Sequence, residues 1–324
     1  MNFVGETIAL FVAVSWTATA LFAEVGSKRM GSLPFNSVRM CMSLLVLTVT
    51  LWLTMGQPYP RYADGQTWLW LLLSGVVGYT IGDYCLMQGY IIIGSRFGQL
   101  FMTLSAPTAA LMGRLLLGEE MRPLALIGMA VTLGGIAISI LSKPQDGHLQ
   151  SKLPPKGIFF AAMAGICQGL GLVLSKIGLE HYDAAIAAAG IATDAVPTGA
   201  VIGLPLYLSV PFASTMIRGL IGLAGFLLLL FLFNKDGAAQ LRRAVGDRRA
   251  MWAAAASMVF GPFVGVSLSL LATQYTTTGI AQTIFALTPV LIIAPAAILF
   301  KQKITAREVI GAVISVTGVC LFFL

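Results

Sequence analysis

Charged side chains are scarce in this sequence. Only 10% of its 324 residues are Asp, Glu, Lys or Arg, whereas soluble domains carry roughly 25%. Hydrophobic residues make up 57% of the chain, and the mean hydropathy is +0.88. The composition excludes an ordinary water-soluble domain and indicates an integral membrane protein.

The side chains that build metal sites and catalytic centres are also few. The two histidines, His148 and His181, fall in predicted loops, and the four cysteines (Cys41, Cys85, Cys167 and Cys320) form no CxxC pair. The sequence has no P-loop and no dinucleotide fingerprint. We therefore expect reduced thiols, no metal site, no cofactor and no enzymatic activity.

Long apolar runs dominate the chain. A helix needs about 20 apolar residues to cross a bilayer, and runs of this kind predict ten transmembrane helices at 8–23, 37–55, 67–90, 97–117, 123–141, 157–177, 215–233, 250–272, 278–300 and 306–324. A closed barrel would instead show short alternating strands. The predicted fold class is an all-α integral membrane protein.

Basic residues concentrate on one side of this predicted topology. The net charge is +7, but the lysines and arginines lie in loops rather than in a nucleic-acid-binding motif, so no nucleic-acid partner is expected. Most of them follow odd-numbered helices, which places those loops in the cytoplasm and both termini outside. The expected location is the cytoplasmic membrane, with the lipid bilayer as surroundings.

The chain contains two related halves. PFNSVRMCMSLLVL at 34–47 resembles PFASTMIRGLIGLAG at 211–225, and each stretch carries an arginine, Arg39 or Arg218, near the start of an apolar run. Gln99 corresponds to Gln282, and Pro107 corresponds to Pro289. We expect five-helix repeats at 1–142 and 157–324 joined by a loop at 143–156. Because five is odd, the second repeat enters the membrane inverted.

These features together resemble the EamA-type drug/metabolite transporter superfamily over nearly the whole chain. The residues that carry the resemblance are the Pro-Phe…Arg starts, the prolines Pro107 and Pro289, and the glycine-containing last helix of each half. The resemblance implies alternating access around a central cavity lined by helices one, three, four, six, eight and nine. One segment, 180–213, is much longer than its counterpart in the first half. It is expected to be an interfacial loop with a short helix, and a lid and an eleventh span are the alternatives.

An acidic residue, Asp83, lies in the middle of an apolar run. Burying a charge in hydrocarbon is costly, so Asp83 is expected to face protein or water. The aligned residue of the second half is Val266, and this asymmetry favours a role with substrate or protons. The structural alternative is a fixed ion pair with an arginine such as Arg96 or Arg114.

Other polar residues in the spans are candidate substrate contacts. A mostly apolar cavity with a few polar groups is typical of a small-molecule site, and the candidate substrate-binding residues are Trp16, Tyr79, Asp83, Tyr84, Gln88, Gln99, Thr103, Gln168, Ser267 and Gln282. Glu24 and Lys176 occupy equivalent positions and could form a gate, with Asp83 as a third gating or coupling group. Arg39 and Arg218 are expected to be interfacial anchors of the fold.

The sequence thus predicts a secondary transporter that exports a small amino-acid-like or amphipathic metabolite, with protons as a possible coupling ion. A carrier or flippase of a lipid-linked or phosphorylated substrate is a second hypothesis, and it ranks lower because few basic residues are expected in the cavity. A membrane enzyme or a non-transporting scaffold is the third. The sequence leaves the oligomeric state open.

Overall fold

The computed structural model describes residues 4–118, 123–140, 153–275, 281, 284–301 and 304–322, and every regular element in these ranges is helical. The first half contains α1 (Val4–Met30), α2 (Ser32–Met55), α3 (Gly65–Gly75), the π-helix π1 (Val76–Asp83), α4 (Tyr84–Met102), α5 (Ser105–Leu117) and α6 (Pro123–Ile140). The second half contains α7 (Pro155–Ala188), α8 (Leu206–Phe233), α9 (Gly237–Gly246), α10 (Arg248–Met258), the π-helix π2 (Val259–Val266), α11 (Ser267–Tyr275), α12 (Thr288–Leu291), α13 (Ile293–Phe300) and α14 (Ala306–Phe322).

Apolar sequence becomes helix here because a helix satisfies its own backbone polar groups, which lipid cannot do. Polar residues mark where two of these helices begin. Asp64 caps α3 by accepting a hydrogen bond of 2.8 Å from the Thr67 amide, and Asp247 caps α10 through the amides of Arg249 and Ala250. The hydrogen bonds from Thr67 hold the pKa of Asp64 below its ordinary value of 3.8.

Six helical stretches in the described ranges are long and apolar enough to cross a membrane: Val4–Met30, Ser32–Met55, Gly65–Met102, Pro155–Ala188, Leu206–Phe233 and Arg248–Tyr275. This confirms a multi-pass helical membrane protein, while the count of ten spans stays a prediction. The stretch Gly65–Met102 contains the predicted span 67–90 and only the beginning of the next one, 97–117, whose remainder is α5. Gly94 interrupts that stretch with φ 81° and ψ 162°, a conformation that is essentially restricted to glycine.

The two halves pack against each other in a symmetric pattern. α2 packs on α8 and α6 packs on α14, so equivalent helices of the two halves meet. α1 packs along α10, π2 and α11, whereas α7 packs along α3, π1 and α4. The second set of contacts is the first with the halves exchanged.

The connection between α7 and α8 is shorter than the loop predicted at 180–213. α7 continues to Ala188 and α8 begins at Leu206, and the residues between them form turns without a helix. This connection is tied to the end of α2, because the Leu53 carbonyl accepts hydrogen bonds from the amides of Val201 (2.9 Å) and Ile202 (2.8 Å). The beginning of the predicted loop is therefore helical as the end of α7, no separate helix lies between Ala188 and Leu206, and a role as a lid stays a prediction.

Candidate substrate site

A cavity of about 110 Å³ lies where the two halves meet. The first half contributes α1, α2, π1, α4 and α5 to its wall, and the second contributes α7, α8, π2, α11 and α12. The charged, amide and aromatic groups in the wall are Arg39, Asp83, Gln99, Gln168, Arg218, Trp16, Tyr79, Tyr90 and Phe285. The remaining wall is formed by smaller or aliphatic residues: Thr19, Leu86, Met87, Met102, Thr103, Ser105, Ala106, Leu172, Gly261, Pro262, Val266, Ser269, Ala286, Thr288 and Pro289.

Both π-helices face this cavity. π-helices are rare and occur mostly as short insertions at functional sites. π1 contributes Tyr79 and Asp83, and π2 contributes Gly261, Pro262 and Val266. Aligning Asp83 with Val266 superimposes the two π-helices over their full length, since each has eight residues and ends at that position. The wider helical turn therefore occurs at the same place in each half.

Asp83 forms the centre of a buried polar network. Its Oδ2 lies 2.5 Å from Arg39 Nη2, and its Oδ1 accepts a hydrogen bond of 3.0 Å from Gln168 Nε2. Arg39 also donates to Asn36 Oδ1 at 3.0 Å, and Asn36 Nδ2 donates to the Asp83 carbonyl at 3.2 Å. The carboxylate thus joins an arginine of the first half to a glutamine of the second.

Arg218 occupies the place in the second half that Arg39 occupies in the first. Its guanidinium stacks over the Tyr79 ring, with 4.9 Å from Cζ to the ring centroid. Each arginine side chain extends toward the π-helix of the other half. A Cβ added at Gly78 of π1 would lie 3.1 Å from Arg218 Nη2, and one added at the aligned Gly261 of π2 would lie 3.7 Å from Arg39 Nη1.

The rest of the wall combines aromatic and neutral polar groups. Trp16 and Phe285 pack with ring centroids 4.8 Å apart. Gln99 Nε2 donates to Tyr90 Oη at 2.6 Å, and the Thr103 hydroxyl donates to the Leu100 carbonyl at 2.7 Å. These bonds satisfy buried polar groups and fix the shape of the wall.

Of the residues predicted to bind substrate, the structure brings six to this cavity: Trp16, Tyr79, Asp83, Gln99, Thr103 and Gln168. Three others lie outside its wall. Tyr84 packs edge-on against Phe160, Gln88 donates to the Ser32 hydroxyl at 2.8 Å, and Ser267 donates to Thr215 Oγ1 at 3.1 Å. Gln282 lies outside the described residues.

The predicted partners of three charged residues need correction. Asp83 pairs with Arg39, whereas Arg96 pairs with Glu308 at 3.3 Å and Arg114 is exposed. Glu24 is buried, pairs with Lys28 of the next turn at 2.5 Å and accepts a hydrogen bond from the Ser95 amide. The structure therefore does not bring Glu24 and Lys176 together.

Two functional candidates were assigned the wrong role from the sequence. Arg39 and Arg218 are 2% and 4% exposed and line the cavity, so they are not interfacial anchors. They add the second and seventh predicted spans, 37–55 and 215–233, to those expected around the cavity. Their signal in the sequence was the shared Pro-Phe…Arg pattern, which placed both arginines at equivalent positions.

Comparison with known proteins gives three findings. The model of the EamA-like transporter family matches residues 3–141 and 204–324. A protein named an uncharacterized transporter, from Synechocystis sp., is 26% identical over 154 residues, which are 44% of this chain and 46% of that protein. The chain thus spans about half the length of this relative. A solved crystal structure aligns over 99% of this chain and 96% of its own, with a TM-score of 0.58 and 15% identity, and so shares the fold.

Proposed function

Since the chain belongs to the EamA-like transporter family, we propose that it is a secondary transporter that moves a small amphipathic metabolite through the cavity by alternating access. The observation that carries this proposal is a buried polar network in a mostly apolar cavity that both halves line. A substrate bound between two halves can be exposed to either side when the halves move relative to each other. The transporter-named relative favours transport over an enzyme or a scaffold.

The exchanged packing of the halves supports the five-plus-five inverted arrangement with repeats at 1–142 and 157–324. Equivalent helices meet as α2 with α8 and α6 with α14, and the two π-helices align with each other. Rocking one half against the other would then open the cavity to alternate sides of the membrane.

The loop charges support a cytoplasmic-membrane location with both termini outside. Export of an amino-acid-like compound remains our proposal for direction and substrate. Asp83 is the proposed coupling group, because its carboxylate pairs with Arg39 of its own half and accepts a hydrogen bond from Gln168 of the other half. Protonation would remove the carboxylate charge that strengthens its bonds with Arg39 and Gln168, and the contact with Gln168 of the second half would weaken.

A second candidate, a carrier of a phosphorylated or lipid-linked compound, gains support from the structure. The sequence counted against this candidate, because few basic residues were expected in the cavity. Arg39 and Arg218 both line the cavity, and arginine binds phosphate well. Arg39 is already paired with Asp83, so a single arginine remains for such a headgroup, and we rank this candidate second.

A matched pair of glutamine substitutions tests the transport proposal. Gln168→Leu removes a cavity amide that binds Asp83, whereas Gln88→Leu removes a half-buried amide outside the cavity. The measurement is counterflow of labelled amino acids and small organic acids into proteoliposomes. We expect Gln168→Leu to lower flux at least about tenfold, the effect of losing a hydrogen bond to a charged group, and Gln88→Leu to retain it. Absence of counterflow for every solute with the wild-type chain, or equal loss in both variants, would refute the proposal.

A further inference from the structure

Arg218 brings into the cavity a positive charge that forms no ion pair with any described acidic residue. The side chain is 4% exposed, and its Nε is buried without a hydrogen-bond partner. The ion pairs among the described residues join Lys28 to Glu24, Arg29 to Asp247, Arg39 to Asp83, and Arg96 to Glu308. Arg218 is in none of them. Buried charges in proteins are usually paired, and no described side chain forms an ion pair with this guanidinium.

The charge balance of the cavity wall leads to the same conclusion. The described wall contains two guanidinium groups, Arg39 and Arg218, and one carboxylate, Asp83. Asp83 and Arg39 neutralise each other at 2.5 Å. One positive charge is left over, and it belongs to Arg218.

The position of this charge is fixed by its surroundings. The guanidinium stacks on Tyr79, and Gly78 leaves the space for it, because a Cβ there would approach Nη2 to 3.1 Å. Next to it, a Cβ at Gly75 would lie 2.5 Å from the Arg218 carbonyl oxygen. A cation held in place in this way is preorganised for a planar anion, which arginine binds through two parallel hydrogen bonds.

We infer that the cavity binds a small organic carboxylate with a net negative charge, whose carboxylate pairs with Arg218 and whose apolar body packs on Trp16 and Phe285. This inference rests on the proposed transport of a small amphipathic metabolite, and it replaces the amino-acid-like compound with an organic anion. A zwitterion would need a second acid for its ammonium group, but Asp83 is already bound to Arg39 and Gln168. A phosphate dianion would bring two charges against one free cation.

The cavity size sets the size of the ligand. A cavity of about 150 Å³ holds benzene, so a cavity of about 110 Å³ suits a body of a few carbon atoms. Butyrate, butyramide, butylamine and 2-aminobutyrate are suitable probes, since they share a chain of similar size and differ in charge.

The test measures the thermal unfolding midpoint and the Kd of the purified full-length protein with each probe. The chains compared are the wild type, Arg218→Gln, Arg218→Lys and the control Arg114→Gln, which alters an exposed arginine outside the cavity wall. We expect butyrate, but none of the other three probes, to raise the unfolding midpoint of the wild type and of the control. Arg218→Gln should weaken butyrate binding at least about tenfold, and Arg218→Lys should recover part of it.

The ranking of the four probes on the wild type does not depend on whether any variant folds. Binding of butyramide, butylamine or 2-aminobutyrate as tight as that of butyrate would overturn the inference, and so would unchanged binding in Arg218→Gln or stabilisation by none of the probes. Flux of a neutral or cationic solute in the proteoliposome assay would refute the inference and leave transport standing. Butyrate binding without flux of any solute would refute transport and leave the inference about the ligand standing.

Discussion

Arg39 and Asp83 form an ion pair of 2.5 Å between α2 and the end of π1, and both side chains are more than nine-tenths buried. Arg218, the counterpart of Arg39, has no such partner among the described residues, because the residue aligned with Asp83 is Val266. The first half of the chain thus holds a neutral pair in the cavity wall, and the second holds a single charge. The cavity between them is electrically asymmetric.

Replacing one residue of this pair should destabilise the fold more than replacing both. Asp83→Leu leaves Arg39 buried without its carboxylate, which costs about 3–5 kcal/mol of unfolding free energy. The double change Arg39→Leu with Asp83→Leu should restore most of that stability, because apolar replacements of buried pairs are often neutral. Transport should be lost in both. Unfolding midpoints and flux measure the two effects, with the exposed Arg114→Leu as control. A double variant as unstable as Asp83→Leu would contradict this account.

Two glycine-to-alanine substitutions should have opposite signs. A Cβ at Gly75 would lie 2.4 Å from Ile221 Cγ2 and 2.5 Å from the Arg218 carbonyl oxygen, so Gly75→Ala should force α3 and α8 apart and cost about 1–3 kcal/mol. A Cβ at Gly134 of α6 would meet nothing within 4 Å. Gly134→Ala should therefore stabilise the protein by about 0.5–1 kcal/mol through helix propensity. Thermal unfolding of the two variants measures these shifts. Equal midpoints would count against the close contact between α3 and α8.

The cap of α10 should make stability depend on pH in acid. A hydrogen bond from Arg29 Nε at 2.7 Å, with those from the Ala250 and Arg249 amides, lowers the pKa of Asp247 below its ordinary value of 3.8. The unfolded chain then binds a proton first as the pH falls. The stabilisation is therefore complete above about pH 4 and is lost as the pH drops through the lower, folded-state value.

Comparing the wild type with Asp247→Asn from pH 7 down to pH 3 tests this dependence. The amide keeps a capping oxygen without the charge, so the wild type should have the higher unfolding midpoint at pH 7, and the gap should shrink in acid. A gap that stays constant over the whole range would show that the carboxylate charge adds nothing.

Membrane orientation can be measured with two introduced cysteines, each in a separate variant. Tyr59 follows α2 and is exposed, and Asp236 lies between α8 and α9 and is also exposed. If both termini are outside, Tyr59→Cys should react with an impermeant maleimide on intact cells, and Asp236→Cys should react only after permeabilisation. The unaltered chain reports background from the exposed native Cys41. The reverse labelling pattern would invert the orientation.

Much of the fold and part of the site could be predicted from the sequence. Apolar runs predicted membrane helices because a chain in lipid must satisfy its backbone hydrogen bonds internally, which a helix does. Asp83, Tyr79 and Gln168 were found as cavity residues by the same logic, since a polar group in a span needs protein or water beside it.

Helix beginnings explain why the arginines were assigned wrongly. Hydropathy placed the starts of their spans at residues 37 and 215, which left Arg39 and Arg218 about one turn inside. The helices begin earlier, at Ser32 and Leu206, because small and polar residues such as Ser37 and Ser209 are buried against neighbouring helices. Both arginines therefore lie at least about two turns deep. Hydropathy measures preference for lipid and does not detect helix that faces protein.

The π-helices could not be predicted, and they make the cavity sensitive to chain length. Successive residues of an α-helix point about 100° apart around its axis. A π turn absorbs one extra residue, so the helix that follows keeps the orientation it would have without that residue. Inserting one further residue between Val76 and Gly82, which the π turn has no room to absorb, would rotate Asp83, Met87 and Tyr90 together by about 100° and out of the cavity. A one-codon insertion there, without any change of the existing side chains, would remove one wall of the chamber.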